Sequence, residues 1–259
     1  MRQWASDAPS AGAASHHRGL CSSGWRGRIP GSTESAGEWK IAMNFYAVQS
    51  GFLKISLEQG LSIIARRRSL IAMNDSVEMK STVTGGLLQG LLRRLSTGDT
   101  FFHQQFTAVR CRGDVLLSPH HCGDIRVLEV GARQYALNDG VFLAADSTVC
   151  LTPLRRPLSK GLFGGAGFFI TETSGFGHLA VNSRGGIFEV ELKPGGDMIV
   201  DERHLVAWEL GLKQKFLLGS NVSPISLPYR LIGSQISGEG VLSHFSGRGR
   251  LVLSSLEKR

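Results

Sequence analysis

The sequence predicts a mostly β fold made of three similar units, with few short helices. Three observations predict it: short apolar runs of strand length, glycine between those runs, and an internal repeat. Glycine fills 33 of 259 positions, or about 13% against about 7% in an average protein. Apolar residues make up 42% and charged residues 19%, which is enough to bury a core and excludes wholesale disorder. With only 8 prolines and no repeating G-x-y triplet, collagen is excluded as well.

Residues 1–42 differ from the rest of the chain. They contain Ser, Ala, Gly and Arg in no period, and their acids are Asp7, Glu34 and Glu38. Three interpretations compete: a transit peptide, which is typically rich in Arg and Ser, a disordered tail, or an upstream extension of the reading frame. Met43 stands directly before the first patterned segment and favours the extension. We therefore predict one β-rich domain over 43–259.

Strand patterns follow from Asn44 onward. Residues 52–57 alternate between apolar and polar with period two, and Gln59 and Gly60 end the run. Helical periodicity is clear only at 86–95, where leucines form one stripe. Six later runs have strand length and β-branched residues: 115–117, 125–130, 141–144, 187–192, 198–200 and 251–253.

An internal repeat organises these strands. The segment 97–102 (TGDTFF) returns as 164–169 (GGAGFF) and as 237–242 (SGEGVL), while 174–179 (SGFGHL) matches 246–251 (SGRGRL). Each copy reads as glycine turn, strand, glycine turn, strand. A unit of about 70 residues buries its apolar face only marginally alone. We therefore expect three units, at about 43–120, 121–190 and 191–259, to share one core.

Several ordered motifs resemble one known family. Beside the glycine and phenylalanine repeats, they are 119–125 (PHHCGDI), 140–146 (GVFLAAD), 160–165 (KGLFGG), 194–196 (PGG) and 206–208 (VAW). In this order and spacing they resemble the Altered Inheritance of Mitochondria 24 family and its bacterial relatives, over about residues 44–255.

The resemblance implies a fold as well as a biological context. The fold is β-rich and sandwich- or barrel-like, with three units in a pseudo-threefold arrangement similar to the subunit fold of the tryptophan RNA-binding attenuation protein. Mitochondrial members of the family are linked to inner-membrane organisation. The family supplies no catalytic residues and no cofactor to carry over. Two features depart from its pattern, the basic run 66–68 and the loop 120–122.

The positive charge permits an anionic partner. Lys and Arg number 29 against 21 Asp and Glu, for a net charge of +8, and many weak contacts to phosphates sum to useful affinity. The candidate anion contacts are Arg66, Arg67, Arg68, Arg93 and Arg94. No run reaches a basic block of five residues, so a solvated face competes with RNA binding.

One loop contains possible metal ligands. His120, His121 and Cys122, together with His103, offer imidazole and thiolate groups that bind zinc or copper. Adjacent residues of an extended chain point to opposite faces, so a metal site requires His103 or His178 nearby. The alternative, which we favour, is an ordinary surface loop and no metal or other cofactor.

Two further motifs are weaker than they look. Gly175-Phe176-Gly177 mimics a dinucleotide fingerprint, but a strand pattern follows it where a phosphate site needs a helix. We predict a tight turn there. Asp201, Glu202 and His204 could form an acid–base cluster, although a solvated turn is the better interpretation. No G-x-S-x-G nucleophile motif occurs in the sequence.

The most prominent apolar feature is the glycine-rich loop at 160–168, which could contact a partner or a membrane. Its Phe163 either inserts into a partner or packs internally, and Phe168 either contributes to the contact or joins the core. The candidate contact residues are Lys160, Leu162, Phe163, Gly164, Gly165 and Phe168.

Together these features predict a non-enzymatic, self-associating β-scaffold that binds a protein or an anionic membrane surface. The alternative is an RNA-binding regulator that uses the scattered arginines. Four cysteines without a C-x-x-C pair indicate a reducing compartment, so we expect a cytoplasmic homo-oligomer. A mitochondrial location follows instead if residues 1–42 are a transit peptide.

Overall fold

The protein is built from β-strands throughout the part that can be described. A computed structural model describes residues 43–48, 51–83, 102–156, 168–217 and 241–257, and nineteen strands form its regular structure. Within these ranges no helix is long and apolar enough to cross a membrane. Residues 1–42 and the predicted helix at 86–95 lie outside the described ranges. The mostly β prediction is confirmed.

The strands fall into three sets of six, preceded by β1 (Met43–Val48). Unit 1 contains β2 (Phe52–Leu57), β3 (Ser62–Arg66), β4 (Leu70–Met73), β5 (Val77–Val83), β6 (Phe102–Ala108) and β7 (Gly113–Leu117). Unit 2 contains β8 (Ile125–Val130), β9 (Tyr135–Asn138), β10 (Phe142–Asp146), β11 (Val149–Arg156), β12 (Phe168–Gly175) and β13 (Gly177–Asn182). Unit 3 contains β14 (Ile187–Leu192), β15 (Asp197–Asp201), β16 (Leu205–Glu209), β17 (Lys213–Leu217), β18 (Leu242–Ser246) and β19 (Gly249–Ser254).

Strand pairing is the same in all three units and antiparallel throughout. The last strand of each unit lies between the first and the third, as in β2-β7-β4, β8-β13-β10 and β14-β19-β16. The fifth lies between the fourth and the second, as in β5-β6-β3, β11-β12-β9 and β17-β18-β15. Each unit therefore contributes two half-sheets with a fixed strand order, as the sequence repeat predicts.

Neighbouring units are joined through continuous sheets. β3 of unit 1 pairs with β10 of unit 2, and β9 of unit 2 pairs with β16 of unit 3, so two six-stranded sheets each span two units. A third such junction, between β15 and β4, would close the three units into a ring. It is absent from the pairings of the described strands. The pseudo-threefold arrangement therefore stays a prediction.

The buried apolar residues form three clusters, and each cluster combines residues of two neighbouring units. In unit 1, Leu53 and Val115 of one half-sheet pack with Phe106 of the other. Separate clusters contain Leu137 and Leu179 in unit 2 and Trp208 and Phe245 in unit 3. The first cluster extends into unit 2 through Leu143, the second extends into unit 3 through Val206, and the third includes Ile170 of unit 2. The apolar core therefore continues from unit to unit, as the shared sheets do.

The glycine turns connect the fifth strand of a unit to the sixth. Gly175 and Gly177 flank the turn between β12 and β13 with φ of 89° and 133°, and Gly247 and Gly249 repeat it with 114° and 159°. Positive φ is readily adopted only by glycine. Because a strand follows Gly177, the predicted turn is confirmed, and the motif lacks the helix of a dinucleotide site.

Gly177→Ala is expected to lower the free energy of unfolding by about 2 kcal/mol. A Cβ at this position would lie 2.6 Å from Asp146 Oδ2, and the φ of 133° is itself unfavourable for alanine. The matched control is Gly131→Ala, because a Cβ there meets nothing within 4 Å. Urea unfolding followed by circular dichroism measures both variants. Equal stability of the two would contradict the geometry of this turn.

Candidate functional site

The basic run forms the turn between β3 and β4, and its first arginine has a structural role. The Arg66 guanidinium donates a hydrogen bond of 2.6 Å to the Gly140 carbonyl oxygen, which joins unit 1 to unit 2. Ser69 Oγ donates to the Arg66 carbonyl oxygen, and Arg68 takes the left-handed conformation with φ of 59°. Anion contact by this run stays a prediction. Arg93 and Arg94 lie outside the described residues.

The His-His-Cys loop borders an open cleft of about 750 Å³ that also contains Arg184, His204, Ser255, Leu256 and Glu257. His120 Nε2 lies 3.0 Å from the Arg67 carbonyl oxygen, and His121 Nδ1 lies 3.5 Å from the Arg184 guanidinium. Burial and the nearby charges of Arg184 and Arg66 lower the pKa of His121. The charged side chains that line this cleft are Arg184 and Glu257, one of each sign.

No metal centre can be assembled from the residues that the structure describes. Within the described ranges, no three His, Cys, Asp or Glu side chains come together as a metal-binding group. His103 is buried on β6, with its ring edge-on to Phe142 at 4.9 Å, while His178 Nδ1 lies 3.1 Å from Asp146 Oδ2. Neither histidine therefore completes a set with His120, His121 and Cys122, which is an exposed free thiol.

The predicted acid–base cluster is divided among three structural contacts. Asp201 accepts hydrogen bonds from the Arg203 guanidinium, which lower the pKa of its carboxyl against the opposing effect of burial. Glu202 is buried and accepts hydrogen bonds from Ser243 Oγ and Gln214 Nε2. His204 Nδ1 lies 2.9 Å from the Ser254 carbonyl oxygen. The contacts of Glu202 and His204 connect strands of unit 3, while the contact between Asp201 and Arg203 is local to one turn.

The predicted glycine-loop contact falls almost wholly on residues that the structure does not describe. Phe168 is the first residue of β12, and Ile170 of the same strand is buried in the cluster that units 2 and 3 share. The remaining residues of that candidate surface, Lys160, Leu162, Phe163, Gly164 and Gly165, lie outside the described ranges. The surface stays a prediction.

The structure reveals a different apolar surface, along two strand edges. β4 and β15 are each the last strand of a sheet, and no described strand pairs with their outer edges. Ile71 and Met73 on β4 are 47% and 38% exposed, and Ile199 on β15 is 39% exposed. We call β4 and β15 the open edges. Their exposed apolar side chains, beside backbone groups that pair with no described strand, are typical of a surface that binds another chain.

Beside β15 lies an apolar groove. It encloses about 490 Å³ between β14, β15 and the end of β19, and its walls include Phe188, Met198, Ile199, Val200 and Leu253. Phe188 is 68% exposed although it lies in a regular strand. The groove therefore extends the apolar surface of β15 across unit 3.

This surface was not predicted from sequence patterns. The run 198–200 has the pattern of a strand, but an edge strand and an inner strand can have the same apolar pattern. The run Leu70–Met73 offered a local signal, since it is wholly apolar and has no charged residue to protect an edge. Only the strand pairings show that the equivalent strands β10 and β16 lie inside a sheet whereas β4 lies at an edge.

Three comparisons place the chain among known proteins. The chain is 33% identical over 219 residues to an uncharacterized protein of Streptococcus pyogenes serotype M6. The matched region covers 81% of this chain and 83% of that protein. An X-ray crystal structure of a Streptococcus pyogenes protein matches with a TM-score of 0.66 and 31% identity over 83% of this chain and 94% of the other. The sequence profile of the Mitochondrial biogenesis AIM24 family matches residues 45–256. The chain therefore belongs to the Mitochondrial biogenesis AIM24 family, as its glycine and phenylalanine motifs predict.

Proposed function

We propose that this protein is a non-enzymatic, self-associating β-scaffold that binds other protein surfaces. The observation that supports this function best is the pair of open edges, where apolar side chains on regular strands face outward. Exposed edges of this kind expose a monomer to aggregation, because their N–H and C=O groups can form hydrogen bonds with any strand of matching geometry. Binding another protein surface satisfies these groups and covers the apolar side chains.

The three units are joined by contacts that favour a rigid platform. The shared sheets join the three units through backbone hydrogen bonds, and ion pairs add contacts between strands at the surface. Arg126 of unit 2 pairs with Glu189 of unit 3, and Arg133 lies 3.1 Å from Glu209 and 3.4 Å from Glu191. Exposed pairs are individually weak, but here several connect two units. A rigid platform holds its open edges in a constant geometry.

Membrane attachment is the second form of the proposal. It depends on the segment from Lys160 to Phe168 and on nearby basic residues, as the sequence analysis predicts. We also propose that the protein is located in the cytoplasm. The open edges favour a protein partner instead, because a strand edge needs hydrogen-bond donors and acceptors in register, which another polypeptide supplies.

Sedimentation velocity of the full chain over a wide range of concentration tests self-association. We expect the average mass to rise with concentration, whereas a constant monomer mass would remove self-association from the proposal. Flotation with anionic liposomes tests the membrane form. It is supported if wild-type protein floats and Phe163→Asp does not, and it is rejected if neither floats or both do.

Partner binding is tested with two matched variants in a crosslinking pull-down from native cells. Phe188 and Phe176 are 68% and 66% exposed, but only Phe188 lines the apolar groove. We expect Phe188→Asp to lose protein partners that wild type and Phe176→Asp retain. Equal recovery by all three proteins would rule out the groove as the binding surface.

A further inference from the structure

The two junctions between units have the same strand register. Where β3 meets β10, Ala144 lies opposite Ala65 and Ala145 opposite Ile64. Where β9 meets β16, Ala207 lies opposite Leu137 and Trp208 opposite Ala136. In each unit the third strand also carries a bulge against the last, at Leu70/Ala72, Phe142/Ala144 and Leu205/Ala207. Aligning β4, β10 and β16 on their bulges makes Ala72 equivalent to Ala144 and Ala207.

The second strands align by the same reasoning. Leu137 and Val200 lie opposite Thr171 and Ser243, which occupy matching positions before the repeated Ser-Gly-x-Gly turn. Val200 is therefore equivalent to Leu137, and Ile199 to Ala136. A third junction with the same register would place Ala72 opposite Val200 and Met73 opposite Ile199.

Burial differs sharply between equivalent positions. Leu143 and Ala145 on β10 are fully buried, and Val206 and Trp208 on β16 are 2% exposed. Their equivalents on β4, Ile71 and Met73, are the exposed side chains of the first open edge. On β15, Ile199 is exposed while its equivalent Ala136 is buried. The side chains that the two junctions cover are therefore those that the open edges display.

The open edges also lack features that prevent pairing. Proteins usually protect an edge strand with Pro, Lys or an inward-pointing charge. β4 has the sequence LIAM, with no charge and no proline. β15 has the sequence DMIVD, whose two aspartates stand only at its ends. The central residues of both strands are thus compatible with an antiparallel partner.

We infer that a second copy of this chain pairs with the open edges, β15 of one copy lying antiparallel to β4 of the next in the register of the two internal junctions. This inference rests on the proposed self-association and specifies its interface. The contact joins two different surfaces, so each copy keeps one open edge for a further copy. Such head-to-tail contacts build a ring when the rotation closes and a filament when it does not.

Ile199→Lys tests the edge itself. A lysine in this register would face Met73 of the next copy in an apolar junction, where a buried unpaired charge is strongly unfavourable. We expect the association constant from sedimentation velocity to fall at least about a hundredfold. Phe176→Lys, at an exposed residue of the turn between β12 and β13, should associate like wild type. If wild type associates and Ile199→Lys associates equally well, this interface is overturned while the scaffold proposal stands.

Cysteine pairs test the register. On a background with serine at the free cysteines Cys122 and Cys150, Met73→Cys protein is mixed with Ile199→Cys protein under mild oxidation. Directly opposed residues of antiparallel strands have Cα atoms about 4.5 to 5.5 Å apart, within disulfide range, so we expect a linked dimer. Met73→Cys mixed with Asp197→Cys, two residues along the same strand, should link several-fold less.

Two results would overturn the inference. One is equal linkage in both mixtures, since it would contradict the register. The other is a disulfide that forms within a single chain of the double variant Met73→Cys/Ile199→Cys while the mixture of single variants forms none. That result would show that the three units close on themselves.

Discussion

Trp208→Ala is expected to lower the free energy of unfolding by about 3 to 5 kcal/mol, the usual range for removing a buried large aromatic side chain. Trp208 is among the largest fully buried side chains, and its ring lies 5.8 Å from that of Phe245. It also lies opposite Ala136 across the junction between units 2 and 3. The change therefore leaves a cavity in the core of unit 3 and weakens the contact between two units.

Urea unfolding followed by circular dichroism measures this loss, with two comparisons. Trp208→Phe keeps an aromatic ring in the cavity and should be the milder change. Phe188→Ala removes an exposed side chain on β14, two strands from β16 in the same sheet, and should change stability by no more than about 0.5 kcal/mol. A loss for Trp208→Ala as small as that for Phe188→Ala would contradict the central position of Trp208.

Acid should destabilise the fold through His103. Burial lowers the pKa of His103 to about 4 from its usual 6.5, so the folded protein holds this ring neutral while the unfolded chain protonates it. The stability that depends on the neutral ring is complete above pH 6.5 and is lost as the pH falls toward 4. A shift of this size corresponds to about 3 kcal/mol.

The comparison of wild type with His103→Phe isolates this contribution. Phenylalanine retains a ring against Phe142 and cannot be protonated, so wild type should lose about 3 kcal/mol more than the variant between pH 6.5 and pH 4. His178 has the opposite sign, because its hydrogen bond to Asp146 raises the pKa of its ring against the effect of burial. Its contribution is present at low pH and is lost as the pH rises through the raised pKa. Parallel pH profiles for wild type and His103→Phe would disprove the assignment to His103.

Each of the seven runs that local patterns predicted as strands overlaps a strand of the structure. The runs 52–57, 125–130 and 187–192 coincide with β2, β8 and β14, because each alternates or carries β-branched residues between glycine turns. The turn at Gly175 and Gly177 was also predictable, since its repetition at Gly247 and Gly249 excluded a nucleotide loop. These features depend on neighbours in the chain, so a single sequence contains the information.

Long-range contacts could not be predicted in the same way. Arg66 belonged to a candidate anion-binding run, but its guanidinium binds Gly140, 74 positions away in the sequence. Glu202 belonged to a candidate acid–base cluster, but it is buried with Ser243 and Gln214. Side-chain chemistry suggested the candidates, and partners from distant strands determined which of them face solvent.

Strand periodicity, glycine turns and motif spacing are local properties, so the order of amino acids was enough to predict β-strands in three repeated units and the family of the chain. Where the units join and where they end became visible only in the pairing of strands in space. The apolar strands β4, β10 and β16 are equivalent along the chain, yet β10 and β16 each pair with a strand of the preceding unit, while β4 has no such pairing among the described strands. Whether an apolar strand is core or surface depends on its partner, and the partner is set by the order of strands in space.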